Sequence, residues 1–548
     1  MKRIGISAPL ISQGHWRMFD ALGEIFDIRF EEHNVVNDSG IDAWLYPDIS
    51  PDSMLHIQNS QLPSYIVISE EYLTSCGESS AVKFSRHSLV PEILRNREVQ
   101  SNEATKLKGL PHWLQNTTPL AYKAESPIWA TQEYKNHNCH FVSLSIPELN
   151  NDELIFHHFH GNQFLALLPL LTFLRELTDD KEWEHPPLQA CFMFDDPNLH
   201  WPTYGFVNYQ EMAKHAELHN YHSSFATIPL DAWFVHNRTA DLFQKYHDRL
   251  SLLMHGNDHI TDELARKVTN KERGKMLKQA LFRIEELEKR ANISVARVMA
   301  PPHGACSEET IKQMALIGYE AACISRGSLT YHNSHAKWVR TLGMRPTEII
   351  QGLPIFPRFR ISMDCQNAIL VAALLRQPII PVGHHQDVAE NMDMLEHLSH
   401  FINSLGEVRW TNMTSISRSH YSKMVRKDIL HLKMYTNIAD LLIPEGINYI
   451  LIDRPWLEGE KIEPLLIKTT GGFKDLVLIE FKEPIAVHPG QKIQIISSQI
   501  SQSQSQANYD PLYKFTPWPA MRRMITEARD RLVPICRQLP IIDIFSNK

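Results

Sequence analysis

The chain has 548 residues, of which 43% are hydrophobic and 22% charged, with a formal net charge of −8. That is ordinary globular composition, with apolar material for several cores and a length suited to roughly three or four domains. The acidic balance, with no lysine or arginine stripe to reverse it, argues against nucleic-acid and anionic-membrane partners.

The opening stretch MKRIGISAPLIS is basic at its start, but Ser7 and Pro9 break its apolar run. It reads as a first buried strand rather than a signal peptide. Residues 164–177 form the most apolar stretch, too short to span a bilayer and interrupted by Pro169 and Arg175, and read as a buried helix. Seven cysteines without CxxC spacing fit free thiols in a reducing compartment. The expectation is a cytoplasmic protein without membrane insertion.

Residues 1–180 alternate short apolar runs (RIGISAPL, FDIRFE, DAWLYP, SYIVIS, CHFVSLSI) with longer mixed segments, the rhythm of an open α/β sheet. His157, His158 and His160 lie near the end of this region, and no acidic or cysteine partner follows them at ligand spacing, so they read as a histidine-bearing helix surface beside a domain junction. The polar run DDKEWEHPP, Asp179 to Pro187, reads as a linker. From 188 to 420, strand-like runs (LQACFMF, SSFATIP, RLSLLMH, ARVMAPP, EAACIS, LPIFPRF, PIIPVGH, EVRWTNM) alternate with helix-like segments. Seven or eight such units in this length predict a β/α barrel, complete or distorted. Residues 421–496 carry strands without helices between them, which predicts a small β-sandwich. Residues 497–510 are a low-complexity linker. Residues 511–548 hold a final helix and tail, with Arg522, Arg523, Arg529 and Arg531 expected on solvated faces. The terminal domains are the places where a second copy or a partner protein would dock.

Barrel enzymes build their sites at the C-terminal ends of the strands. Here the first strand ends in Asp195-Asp196, the third in MHGNDH, the fourth in APPHG and the seventh in PVGHHQD. Four polar clusters at one end of alternating strands are hard to explain as separate turns. His255 and His259 are four apart; on a helical turn both imidazoles would share one face, with Cβ atoms about 5–6 Å apart. With one carboxylate from Asp195 or Asp196 they make a His-His-Asp set for a divalent ion, zinc first and Mn2+, Co2+ or Ni2+ next. Such an ion lowers the pKa of water toward neutrality, and the second aspartate is placed to act as general base.

These motifs resemble the polysaccharide deacetylase family, also called the NodB-homology or carbohydrate esterase family four. FMFDD matches its first motif, and the resemblance implies Asp195 as base and Asp196 as ligand. HGNDH matches its His-x-x-x-His motif, so His255 and His259 become ligands. MAPPHG matches the third in part, implying that the His303 N–H serves as an oxyanion donor beside the Gly304 turn. PVGHH matches the last motif, a strand ending in the general acid. Either His384 or His385 fills that role, and strand alternation favours His384. Two departures stand out: Ala300 occupies the place of the family's arginine, and its Asp-x-x-x-Trp signal is missing from SRGSLTYHNSHAKW. Arg326, Arg358 or Arg360, each near a strand end, is a candidate replacement cation, and Trp201, Pro302, Gly304, Arg358 and Arg360 are candidate substrate contacts. The implied function is a metal-dependent hydrolase that removes an acyl group, N-acetyl foremost, from a sugar or related substrate. The competing readings are a cyclic amidase or another hydrolase on the same barrel, and a non-catalytic assembly protein with a vestigial site. The first 180 residues resemble a flavodoxin- or amidotransferase-like domain and carry no catalytic Cys/His/Glu set.

Overall fold

In the computed structural model the described residues are 1–7, 11–33, 39–49, 54, 57, 60–135, 137–178, 182–454, 465–469, 472–477, 483–497 and 517–537. They divide into two units: one of residues 1–182, 337–345 and 364–375, the other of 183–336, 346–363 and 376–548. The first unit thus takes two segments from the range in which the sequence rhythm suggests a barrel.

Its strands are β1 (Lys2–Ile6), β2 (Ile28–Glu32), β3 (Ala43–Ile49), β4 (Ser64–Ile68), β5 (Ala81–Phe84), β6 (Glu98–Gln100), β7 (Thr118–Lys123), β8 (Ser126–Tyr134) and β9 (His137–Val142). They lie in the order 2-1-3-4-9-8-7-5-6. Five run parallel, and from β9 onward the sheet continues by antiparallel pairing. Between β1 and β2, helix Gln13–Phe26 starts where Ser12 accepts from the His15 N–H and stops where Asp27 turns left-handed at φ 54°.

The second unit opens with β10 (Leu188–Ala190) and β11 (Phe192–Asp195), then a short hairpin of β12 (Thr203–Tyr204) and β13 (Val207–Asn208). There follow β14 (Ser223–Thr227), β15 (Leu250–Met254), β16 (Val295–Met299), β17 (Ala321–Cys323), β18 (Glu348–Ile350), β19 (Leu353–Phe356), β20 (Phe359–Arg360), β21 (Pro381–Gly383) and β22 (Val408–Trp410). The run LQACFMF therefore splits at Cys191. β10 pairs with β22 while Ala190 still bridges Ile379, just before β21, so EVRWTNM joins β10 and is not itself a strand of the nine-stranded sheet.

The main sheet reads 18-19-17-16-15-14-11-21-20. All neighbours are parallel except the edge strand β18. β19 and β20 lie near opposite ends of this order, yet only Pro357 and Arg358 separate them in the chain. The three steps from Phe356 to Phe359 reach about 10–11 Å at most, so the sheet must curl until its ends come close. Its interior is apolar: Met193, Ala226, Leu253, Val298, Cys323 and Phe356 belong to one buried cluster.

Beyond it come β23 (Tyr421–Arg426), β24 (Ile429–Met434), β25 (Ile438–Leu442), β26 (Tyr449–Asp453), β27 (Leu465–Thr469), β28 (Gly472–Val477), β29 (Ile485–Ala486) and β30 (Lys492–Ser497). They form two four-stranded sheets that share one apolar cluster, with Leu432 and Ile450 from one and Leu441 and Ile495 from the other. The last described element is helix Pro517–Arg537. Residues 498–510 of the expected linker, with 511–516 and the tail from 538, lie outside the described residues. Cys76, Cys139, Cys191, Cys306, Cys323 and Cys365 are free. No helix among the described residues is long and apolar enough to cross a membrane.

Candidate active site

β11 delivers the two aspartates. Asp195 is its last residue, and Asp196 follows with φ 82°. A left-handed residue just past a strand swings its side chain out of the alternation, and both carboxylates come to line one cavity of about 480 Å³. Non-glycine residues seldom adopt positive φ, and the same cavity also holds His259 at 54° and His303 at 57°. Such conformations persist only where the surroundings over-determine them, and they cluster at functional sites.

His255 and His259 do not sit on a helical turn. They belong to a loop after β15, and its shape comes from a buried carboxylate that the motif does not include. Glu263 accepts from the backbone N–H groups of Asn257 and Asp258, both at 2.8 Å, and of His259 at 3.2 Å. A Cβ on Gly256, whose φ is 65°, would fall 2.5 Å from Glu263 Oε2, so only glycine fits the bend. His255 Nδ1–H donates to the Ala300 carbonyl at 2.8 Å, which leaves Nε2 facing the cavity. That second contact fixes the tautomer a ligand requires.

Asp196, His255 and His259 converge: one ligand atom from each lies within 4.8 Å of the others. Asp196 Oδ1 is 2.9 Å from His259 Nε2 and 3.4 Å from His255 Nε2, yet it is buried without a well-directed hydrogen bond. An orphaned carboxylate oxygen facing two imidazole nitrogens is a donor set that fits a divalent cation. Burial pushes the Asp196 carboxyl up, and the two imidazoles more than offset this, holding it well below the usual carboxylate range.

The place of Ala300 is served from elsewhere. Arg358, on the two-residue link between β19 and β20, donates through Nη1 to both Asp195 oxygens, at 3.0 and 2.9 Å. Its Nη2 holds the Pro301 carbonyl at 3.1 Å. Arg360 also lines the cavity but is exposed, and Arg326 instead pairs with Gln377. His384 lines the cavity, its backbone N–H bonded to Asp387 Oδ2 at 2.8 Å. His385 points away: it is buried, stacks on Phe206 and meets Tyr204 edge-on. His303 and Gly304 line the cavity, whereas Pro302 is buried in the turn beneath them. Trp201 is not among the lining residues; its half-exposed ring stacks on His236 at 5.7 Å.

The C-terminal helix is the part that sequence reasoning misplaced. Arg523 is not on a solvated face: its side chain is 6% exposed. Nε donates to Asp231 at 2.6 Å and Nη2 to the Asp196 carbonyl at 2.8 Å. Burial opposes the Arg523 charge, and Asp231 outweighs that penalty, raising its pKa. Glu527 faces the His200 imidazole at 3.0 Å, and Asp530 accepts from the Tyr204 hydroxyl at 3.0 Å. Together with Asp196, His259 and His303, this helix lines a second cavity of about 230 Å³. The alternation of arginines and apolar residues in WPAMRRMITEARDRL is the sole trace of this seat in the sequence, and it does not say which face docks.

No family model matches the chain, and no curated relative does either. Solved structures do resemble part of it. A polysaccharide deacetylase from Mycobacterium smegmatis, described as putative, matches over 42% of this chain and 90% of its own, at 15% identity and TM-score 0.30. A carbohydrate esterase family four pseudoenzyme from Bacillus anthracis matches over 42% and 66%, at 13% identity and TM-score 0.25. The peptidoglycan deacetylase PdaC from Bacillus subtilis, as a point mutant, matches over 42% and 90%, at 11% identity and TM-score 0.25. These likenesses are slight, and what the site can do rests on its own residues.

Proposed function

We propose that the chain is a metal-dependent hydrolase that removes an acyl group, N-acetyl foremost, from a sugar or a related polyhydroxy compound. The observation that carries this reading is the buried, unsatisfied Asp196 oxygen facing His255 and His259, beside a second carboxylate gripped by Arg358. Asp196, His255 and His259 would hold the ion, zinc by their donor type. Once bound, it supplies Lewis-acid polarisation and acidifies water at the site.

The chain's own residues do the rest. Asp195 accepts the proton of the attacking water, and Arg358 keeps that carboxylate aimed into the cavity. The His303 N–H polarises the acyl oxygen as it gains charge. His384 gives a proton to the departing nitrogen or oxygen, so that the tetrahedral carbon collapses toward product. The curled sheet supports this as a distorted β/α barrel, with the two C-terminal sheets as a separate sandwich.

The direct test is acyl release. Protein supplied with zinc should liberate acetate from N-acetylated sugars or their oligomers; chelation should stop it and added zinc restore it. Undiminished turnover after the ion is stripped, or in Asp195→Asn, would overturn the reading.

A further inference from the structure

Helix Tyr209–His219 follows β11 and its hairpin, and helix Asp393–Asn403 follows β21. Each carries donors four residues apart: His215 and His219 on the first, Glu396 and His400 on the second. That spacing puts both members of a pair on one helix face. Here the two faces meet. One ligand atom each from His215, His219 and Glu396 lies within 4.8 Å of the others. The two imidazole centroids are 4.2 Å apart, and His219 Nε2 is 3.7 Å from Glu396 Oε2. None of these residues lines either cavity of the candidate active site.

A cluster of histidines on a helix surface is commonly just solvated, and two features separate this one from that case. Each imidazole is held by its other nitrogen. His215 Nδ1 lies 3.0 Å from the hydroxyl of fully buried Tyr221, and His219 Nδ1 lies 3.3 Å from His400 Nε2. Both contacts leave Nε2 for the cluster, which is how metal-binding histidines are oriented in general. The helices are also locked in register at the same end, because Asn403 Nδ2 donates to the carbonyls of His219 and Asn220, both at 3.2 Å. Ligands on two separately anchored helices form a site only if that register is fixed, and here it is.

We propose that His215, His219 and Glu396 form a second divalent-metal site, for zinc or a similar borderline ion, that staples the helix after β11 to the helix after β21. Two imidazoles and a carboxylate are a donor set suited to such an ion, with the remaining position left to water. Because the two helices follow the strands that deliver Asp195, Asp196 and His384, the staple ties together the scaffold under both halves of the chemistry. An ion that binds only the folded chain stabilises it in proportion to its concentration over its dissociation constant.

The test is made where the candidate active site has been disabled. His255→Ala, equilibrated with zinc chloride and dialysed, should retain one zinc per chain and melt at a higher temperature with zinc than without. Adding His219→Ala or the near-isosteric Glu396→Gln should abolish both effects, with circular dichroism unchanged in metal-free buffer. Tyr221→Phe, which spares every ligand, should weaken the affinity about 10–100-fold. If His255→Ala binds no zinc, or if Glu396→Gln leaves its zinc and its melting shift intact, the proposal is overturned. The candidate active site is judged separately, by whether His255→Ala lowers the wild-type zinc count by one.

Discussion

Arg358 and Asp195 are each about 6% exposed, so their pairing is a buried one. Removing one partner of such a pair strands the other's charge in a low-dielectric setting, which costs about 3–5 kcal/mol. Arg358→Met should therefore lower the melting temperature and the rate together, while Arg360→Met, on the exposed wall of the same cavity, should leave stability unchanged. Equal stability of the two variants would show that Arg358 is not what fixes the base. The histidine pair separates in the same way. His384→Ala should cut turnover about 10²–10⁴-fold, the usual worth of a general acid, with bound metal and fold retained. His385→Ala removes a ring packed against Phe206 and Tyr204 and should cost about 1–3 kcal/mol of stability instead. If His385→Ala alone abolishes turnover in a folded protein, the acid has been assigned to the wrong neighbour. At this scale the sequence was informative where a motif is local. Asp195-Asp196 and His255-x-x-x-His259 announce themselves by spacing. Arg358 was legible only as one of several arginines near strand ends, because choosing among them depends on where the sheet closes.

The C-terminal helix is seated by charge as much as by packing, and its seat depends on pH in a definite direction. Burial works against the Glu527 carboxylate, but His200 and Arg531 outweigh it and lower its pKa from 4.5 to about 2. Its contribution is therefore complete above about 4.5 and lost as pH falls through about 2. Burial likewise lowers His200, and Glu527 more than reverses this, raising it above 6.5. The stability it contributes is complete below 6.5 and fades as pH rises through that raised value. Hydrogen-exchange protection across 517–537 should therefore be highest near pH 5–6 and decline on the alkaline side. A flat profile from pH 5 to 9 would mean that the His200–Glu527 pair does not hold the helix. Arg523→Met, which strands buried Asp231, should loosen the helix at every pH. None of this was readable from the chain. An amphipathic pattern reports that a helix has an apolar face, but not that a charged side chain from it will cross to Asp231. The two-histidine loop shows the same limit: its spacing suggested a helical turn, and Glu263 with Gly256 achieves the same convergence by a different backbone.

Across the whole molecule, the order of strands and helices was the most legible property, because hydrophobic rhythm is set by local periodicity. That the main sheet curls was legible only in outline, as a barrel complete or distorted; the strand order that curls it was not. The curl follows from β19 and β20 being two residues apart while lying near opposite ends of the strand order, a long-range fact that no window of sequence contains. The split at Cys191, after which β10 takes β22 as a partner, and the antiparallel half of the first sheet are of the same kind. The proposed chemistry depends above all on Asp196, His255 and His259 sharing a metal ion. Crystals grown with zinc and measured at its absorption edge test this most directly. An anomalous peak is expected about 2.0–2.2 Å from Asp196 Oδ1, His255 Nε2 and His259 Nε2, present in Asp195→Asn and absent in His255→Ala. A map with no peak among these three side chains would contradict it, whether or not zinc is found between the helices that carry His219 and Glu396.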